Sequence, residues 1–304
     1  MSGHVTGAVA ALADELPRWV SLLRAPNPGP MTLDGTNTWV LRAPAAEYAI
    51  VVDPGPADEG HLTRIAEHGP IGLILITHGH PDHTEGAARL SELLGGTPVR
   101  AVDPAHTIGA EPLTGPGELL GGTPVRAVDP AHTIGAEPLT GPGERFGDFG
   151  PHISLLPTPG HTVDSVCFLV EHDDERVVLT GDTILGRGTT VVAHPDGHLG
   201  DYLTSLELLS AYRGIPALPG HGPALADCAA AADFYLAHRR ARLDQVRAAV
   251  AAGAHTPADV VAAVYADVDR SLWWAAEWSV RAQLEYLGVD TGESAPGVSG
   301  LEHM

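Results

Sequence analysis

Residues 71–83, Ile71-Gly72-Leu73-Ile74-Leu75-Ile76-Thr77-His78-Gly79-His80-Pro81-Asp82-His83, decide the fold. An apolar run set off by Gly69-Pro70 reads as a strand buried on both faces, which places it inside a sheet. The loop that follows packs four potential metal ligands, His78, His80, Asp82 and His83, into six positions. Core packing does not select so tight a cluster, so the pattern points to a metal loop on the end of a buried strand. Upstream, Thr38 to Arg42 and Tyr48 to Val52 read as strands and Asp53-Pro54-Gly55 as a turn; downstream, Thr84 to Leu94 reads as a helix. Asp53 is expected to support the ligands from behind rather than to bind metal.

Three further pieces stand at the ends of their own apolar segments. Leu155-Leu156-Pro157-Thr158-Pro159-Gly160-His161 supplies a histidine, Val177-Val178-Leu179-Thr180-Gly181-Asp182 a carboxylate, and Pro219-Gly220-His221 another histidine. Each alone reads as a turn residue, but together they complete a ligand set. Between the last two, Tyr202 to Tyr212 is expected to be helical and to feed a strand from Ile215 to Leu218. Strands and helices alternate, with the ligands at strand ends.

An HxHxDH loop followed by separate His, Asp and His positions resembles the metallo-β-lactamase superfamily of binuclear metal hydrolases. Asn27-Pro28-Gly29-Pro30-Met31-Thr32-Leu33-Asp34-Gly35-Thr36-Asn37-Thr38-Trp39 and His238-Arg239-Arg240-Ala241-Arg242 both resemble its β-lactamase-like protein 2 branch. The resemblance runs from about Asn27 to about Val289. It implies a four-layer αββα sandwich in residues 1–225 and a winged-helix-like helical domain in 226–290; the Gly/Ser/Pro-punctuated tail, 291–304, is expected from its composition to be disordered. By the same resemblance His78, His80 and His161 hold one metal, Asp82, His83 and His221 a second, and Asp182 bridges them. Asp82 and Asp182 are then the candidate catalytic carboxylates. Asn37 and Thr38 in the first stretch, and Thr189 and Thr190 after Asp182, are candidate substrate contacts.

Imidazole and carboxylate suit zinc, and two cations about 3.5 to 4 Å apart can bring a bridging water's pKa toward about 7. The implied reaction is attack of a metal-bound hydroxide on a carbonyl of a thioester, ester, lactone or lactam. All 17 basic residues besides histidine are Arg, which removes Schiff-base and P-loop chemistry. No GxSxG or strand-borne GxGxxG occurs. A net charge of −21 repels polyanions and favours a small acyl substrate. The alternative is a metal-dependent endoribonuclease on single-stranded RNA, supported by the branch resemblance and by Arg239, Arg240, Arg242 and Arg247 on one helix. Cys167 and Cys228 show no framework spacing and are expected in the core of a cytoplasmic protein. No stretch reaches the length of a membrane span.

Residues 93–118 recur identically at 119–144, an offset of 26. Two copies cannot build a solenoid. One copy is expected to fill the strand beginning at Pro98 and the other to bulge at the surface, which makes His106 and His132 poor ligand candidates. From Ala226 onward the pattern is helical. Thr256-Pro257-Ala258-Asp259 is a helix start, and apolar stripes fall at Leu236, Leu243, Val246 and Val250, at Val260, Val261 and Val264, and at Trp273, Val280, Leu284 and Leu287.

Overall fold

The computed structural model describes residues 10–12, 15–97, 99–101, 111–112 and 150–289. One sheet runs, in spatial order, β1 (Val20–Arg24), β2 (Asn37–Leu41), β3 (Ala49–Val52), β4 (Ile71–Leu75), β5 (Val99–Ala101) and β6 (Glu111–Pro112). It is antiparallel as far as β3 and parallel from β3 to β6. Helix α1 (Glu59–Ala66) links β3 to β4, while α2 (Pro81–Thr84) and α3 (Ala87–Leu93) link β4 to β5. The second sheet consists of β7 (His152–Pro157), β8 (Val166–His172), β9 (Glu175–Gly181) and β10 (Ala217–Pro219), with α4 (Leu199–Leu209) between the last two. Helices α5 (Cys228–Ala251), α6 (Pro257–Val264) and α7 (Trp273–Tyr286) follow, a short 3₁₀ turn at Arg270–Leu272 leading into the last.

Alternation along the strands builds four layers, because successive side chains leave a strand on opposite faces. Ile50, Val52, Leu73 and Leu75 meet Val166, Phe168, Val170, Val177 and Leu179 between the sheets. Val51, Ile74 and Ile76 point outward against Leu62 and Ile65 of α1 and Leu90 of α3. Cys167, Leu169 and Val178 point the other way, against Tyr202 and Leu206 of α4 and Ala231 and Tyr235 of α5. The apolar run before the metal loop is thus buried on both faces, as its composition requires.

Three elements differ from the sequence reading by more than one residue. The single helix expected from Thr84 to Leu94 is broken at Glu85-Gly86, where a Cβ on Gly86 would lie 2.8 Å from Leu62 Cδ2 and 2.9 Å from the Pro56 carbonyl oxygen. Close packing against α1, which no local pattern records, sets that break. Helix α4 begins three residues ahead of Tyr202, its first turn concealed by Gly200. Strand β10 is shifted to Ala217–Pro219, where it runs parallel to β9.

Strand β5 comes from the first copy of the duplicated segment, with Val99 opposite Ile74. The second copy, the expected surface bulge, His106, His132 and the 291–304 tail all lie outside the described residues. The expected domain border at Ala226 falls just ahead of α5, a helix that runs through two cores. Its first half packs on the second sheet, whereas Val246 joins Val260, Val261, Ala276, Val280 and Leu284 in a separate helical core. Thr256 and Asp259 close a reciprocal capping box at the start of α6.

Candidate metal centre

The four loop residues after β4 meet the residues that end the second sheet. His161 follows β7, Asp182 follows β9 and His221 follows β10. Between the layers, Asn37 N–H donates to the Gly220 carbonyl at 2.7 Å, and Thr36 bridges to His221. All seven sequence-predicted ligands come together. Donor atoms fall into three sets, each within 4.8 Å: His78, His80 and His161; Asp82, His83 and His221; and His78, His83 and Asp182.

The ring nitrogens converge. His80 Nδ1 lies 3.1 Å from both His78 Nε2 and His161 Nε2, and His83 Nε2 lies 3.2 Å from His221 Nε2. His221 Nε2 stands 3.1 Å from Asp82 Oδ2 and 3.3 Å from Asp182 Oδ2. Behind the rings, His83 Nδ1–H donates to Asp53 Oδ2 at 2.9 Å, and His161 Nδ1–H donates to the Val191 carbonyl at 2.8 Å. Thr77 Oγ1 gives its proton to Asp53 Oδ2 at 2.7 Å and so accepts from His78 Nδ1–H at 3.0 Å. With Nδ1 committed to these supports, Nε2 of His78 and of His161 faces His80 Nδ1 and Nε2 of His83 faces His221 Nε2, an arrangement that a cation satisfies. Asp182 Oδ1 is buried without a hydrogen-bond partner. Nitrogen and carboxylate donors with an orphaned buried oxygen among them fit divalent metal ions.

Charge divides the cluster. Burial and neighbouring imidazoles push His78 well below its ordinary value, and the same causes bring His161 to about 4. Burial also opposes charge on His83, but Asp82, Asp53 and Asp182 outweigh it and raise that ring to about 9. At His221, burial is overcome by Asp182 and Asp82, and the pKa rises to about 11. Burial raises the pKa of Asp82, yet His83 and His221 hold it at about 2, and Asp182 is lowered well below its usual range. Both carboxylates are therefore ionised at neutral pH.

Residues outside the ligand motifs complete the centre. Asp53, at φ +52°, aims its carboxylate at Thr77 N–H and Oγ1 and at His83. Thr36 Oγ1 reaches Asp82 Oδ2 at 3.4 Å. Gly220 is required by proximity, since a Cβ there would lie 2.5 Å from Asp182 Oδ1 and 2.7 Å from His83 Cε1. The Pro-Gly-His spacing signalled Gly220; the roles of Thr77 and the Val191 carbonyl left no local trace.

The four expected substrate contacts differ in burial. Asn37 is fully buried and donates its amide to the carbonyls of Pro219 and Gly222. Thr38, also fully buried, bonds the Asp53 carbonyl and His61, and Thr190 bonds the Asp182 carbonyl. The polar side-chain atoms of these three are engaged inside the protein wall beside the cluster. Thr189 alone of the four keeps partial exposure. The arginines of α5 form no basic stripe. Arg240 pairs with Glu207 and Arg247 with Asp244, Arg242 bonds the Val264 carbonyl and stacks on Tyr265, and Arg239 is buried. Cys167 and Cys228 are buried and unpaired with each other, and burial pushes both thiols up, Cys167 to about 12.

Two facing sheets between helical layers, with a histidine-aspartate cluster at their shared edge that could hold metal ions, define an αββα fold. Its helical appendage packs beside the second sheet. The chain belongs to the metallo-beta-lactamase superfamily, whose model matches residues 31–221, and the beta-lactamase associated winged helix domain matches residues 256–288. It is 30% identical to lactamase-like protein vrtG of Penicillium aethiopicum, over 88% of this chain and 76% of that one. It is 29% identical to the beta-lactamase-like protein 2 homolog of Caenorhabditis elegans, over 87% and 82%. Identity to thioesterase pkgB of Emericella nidulans is 31%, over 74% of this chain but only 57% of that one. A metallo-beta-lactamase family protein from Thermus thermophilus shares the fold with a TM-score of 0.65 and 24% identity, over 90% of this chain and 94% of that one. Among the described residues no helix is long and apolar enough to cross a membrane.

Proposed function

We propose that the protein is a hydrolase that holds two divalent cations, zinc foremost, and cleaves a thioester or a related ester, lactone or lactam. The observation that carries this reading is the convergence of seven candidate ligand side chains in three overlapping sets, with the orphaned Asp182 Oδ1 among them. In the arrangement we favour, His78, His80 and His161 hold one ion, Asp82, His83 and His221 the other, and Asp182 serves both. The chemistry supplied by such a pair is a water activated at neutral pH and positive charge opposite a developing oxyanion.

The chain's own side chains supply the remainder. Asp53, Thr77 and Val191 fix the tautomer and direction of the imidazoles. Asp82 is the more open carboxylate, its side chain 25% exposed against 11% for Asp182. Held ionised, Asp82 accepts a proton at Oδ2 and returns it to solvent, whereas Asp182 orients. The net charge of −21 and the individually engaged arginines of α5 support a small acyl substrate over RNA. The relative named a thioesterase supports a thioester in particular. Buried free thiols suit a cytoplasmic setting.

Metal analysis of protein purified without chelator, followed by a panel of thioester, ester, lactam and single-stranded RNA substrates, tests the reading. The expected result is two equivalents of metal and thioester turnover, both lost in His80→Ala. Wild-type rates in that variant would refute the metal assignment. Salt-sensitive cleavage of RNA in place of acyl turnover would refute the substrate.

A further inference from the structure

Arg239 is 5% exposed, and among the described residues it has no carboxylate partner. Burying a guanidinium is costly unless hydrogen bonds and other contacts replace the water it loses. Its Nη2 donates to the Thr190 carbonyl, its Cζ lies over the Tyr202 ring at 5.1 Å from the centroid, and its Nε has no hydrogen-bond partner. Thr190 is where two ligand supports meet. Its hydroxyl donates to the Asp182 carbonyl at 2.7 Å, and the next residue, Val191, supplies the carbonyl that receives His161 Nδ1–H. Helical side chains hold the same loop elsewhere, with Tyr202 Oη donating to the Thr183 carbonyl at 2.7 Å and Leu185 N–H donating to Tyr235 Oη at 3.0 Å.

We infer that Arg239 is a positioning residue for the metal centre, acting from α5 through Thr190 to fix Asp182 and His161 together. The Arg239 to Thr190 bond ties residues 49 apart in sequence, and it makes the helix leading into the appended domain part of the ligand frame. The inference rests on the metal reading proposed above.

Cobalt(II) uptake by metal-free protein, measured by chelator competition and by its visible spectrum, reads the role without reference to turnover. Arg239→Met is expected to weaken cobalt binding by about 10- to 100-fold, the usual effect of losing a support behind a ligand, and to alter the visible bands. Arg239→Lys, which keeps a charge and a donor, is expected to recover most of the loss. If Arg239→Met fails to fold, Thr190→Val tests the lower link of the same relay, because it deletes the hydroxyl that reaches the Asp182 and Thr183 carbonyls while leaving the Arg239 bond in place; unchanged cobalt affinity there breaks the relay and overturns the inference. Wild-type affinity and spectrum in the folded variant overturn the inference, as does a lowered melting temperature with an unchanged cobalt spectrum. Wild-type protein that takes up no more cobalt than His80→Ala sinks the metal reading instead, so the two failures are distinguishable.

Discussion

Asp53→Asn isolates what a carboxylate does behind the metal ligands. Asp53 already sits at φ +52°, a conformation that asparagine tolerates as well as aspartate does. The backbone is therefore indifferent and only side-chain chemistry changes. The two carboxylate oxygens receive three donors: Thr77 N–H at 2.8 Å, Thr77 Oγ1–H at 2.7 Å and His83 Nδ1–H at 2.9 Å. An amide offers one oxygen and one NH2, so in its better orientation it faces Thr77 N–H with a donor and leaves that buried group unpaired. The stability loss is about 1–3 kcal/mol. In the other orientation the NH2 confronts His83, and the ring keeps its bond only by moving its proton to Nε2, the atom that faces His221 and Asp182. Either way His83 loses its charged support, and metal affinity is expected to fall about 10- to 100-fold, equivalent to about 1.4–2.8 kcal/mol. Chelator competition gives the affinity, and urea unfolding of metal-free protein gives the stability. Wild-type metal affinity in Asp53→Asn would refute the claim that this carboxylate sets the ligand tautomer.

Gly220→Ala is expected to abolish metal binding while leaving far-ultraviolet circular dichroism unchanged, because the new Cβ would intrude on Asp182 Oδ1 and His83 Cε1; retention of two metal equivalents would contradict it. Phe168→Ala, which empties a fully buried site between the sheets, is expected to cost about 3–5 kcal/mol in urea unfolding, and a loss below about 1 kcal/mol would mean that the interface there is loose. His61 has its pKa lowered to about 4, by burial first and by Arg64 second. Since the unfolded imidazole takes up its proton near 6.5 and the native one does not, stability falls as pH drops from about 6.5 to 4. His61→Gln removes this contribution, so wild type should lose more of its urea midpoint than the variant between about pH 7 and pH 5, and parallel profiles would argue against it.

The residues at strand ends made most of this architecture legible. Four ligands clustered after Ile76, and each of the other three followed an apolar segment and a glycine, so neighbours along the chain carried the signal. The supports came from elsewhere. Val191 acts through a main-chain carbonyl that any residue possesses, and Thr77 acts through a hydroxyl pinned between Asp53 and His78. Asn37 and Thr38 looked like substrate contacts because polar residues beside a metal loop commonly are. Their burial follows from the pairing of β2 with β3 and from the approach of the Pro219–Gly222 turn, contacts made across 15 to 185 positions. The break between α2 and α3 was hidden for the same reason, its cause being the neighbouring α1.

Because α5 contributes Ala231, Ala232, Tyr235 and Leu236 to the outer face of the second sheet before it enters the helical core, the winged-helix appendage cannot be excised cleanly. A chain ended at Leu225 would wet the apolar surface beneath those side chains and free the loop that Tyr235 and Arg239 now restrain. A cut that is to leave the sheet covered must therefore fall beyond the first half of α5, not ahead of it.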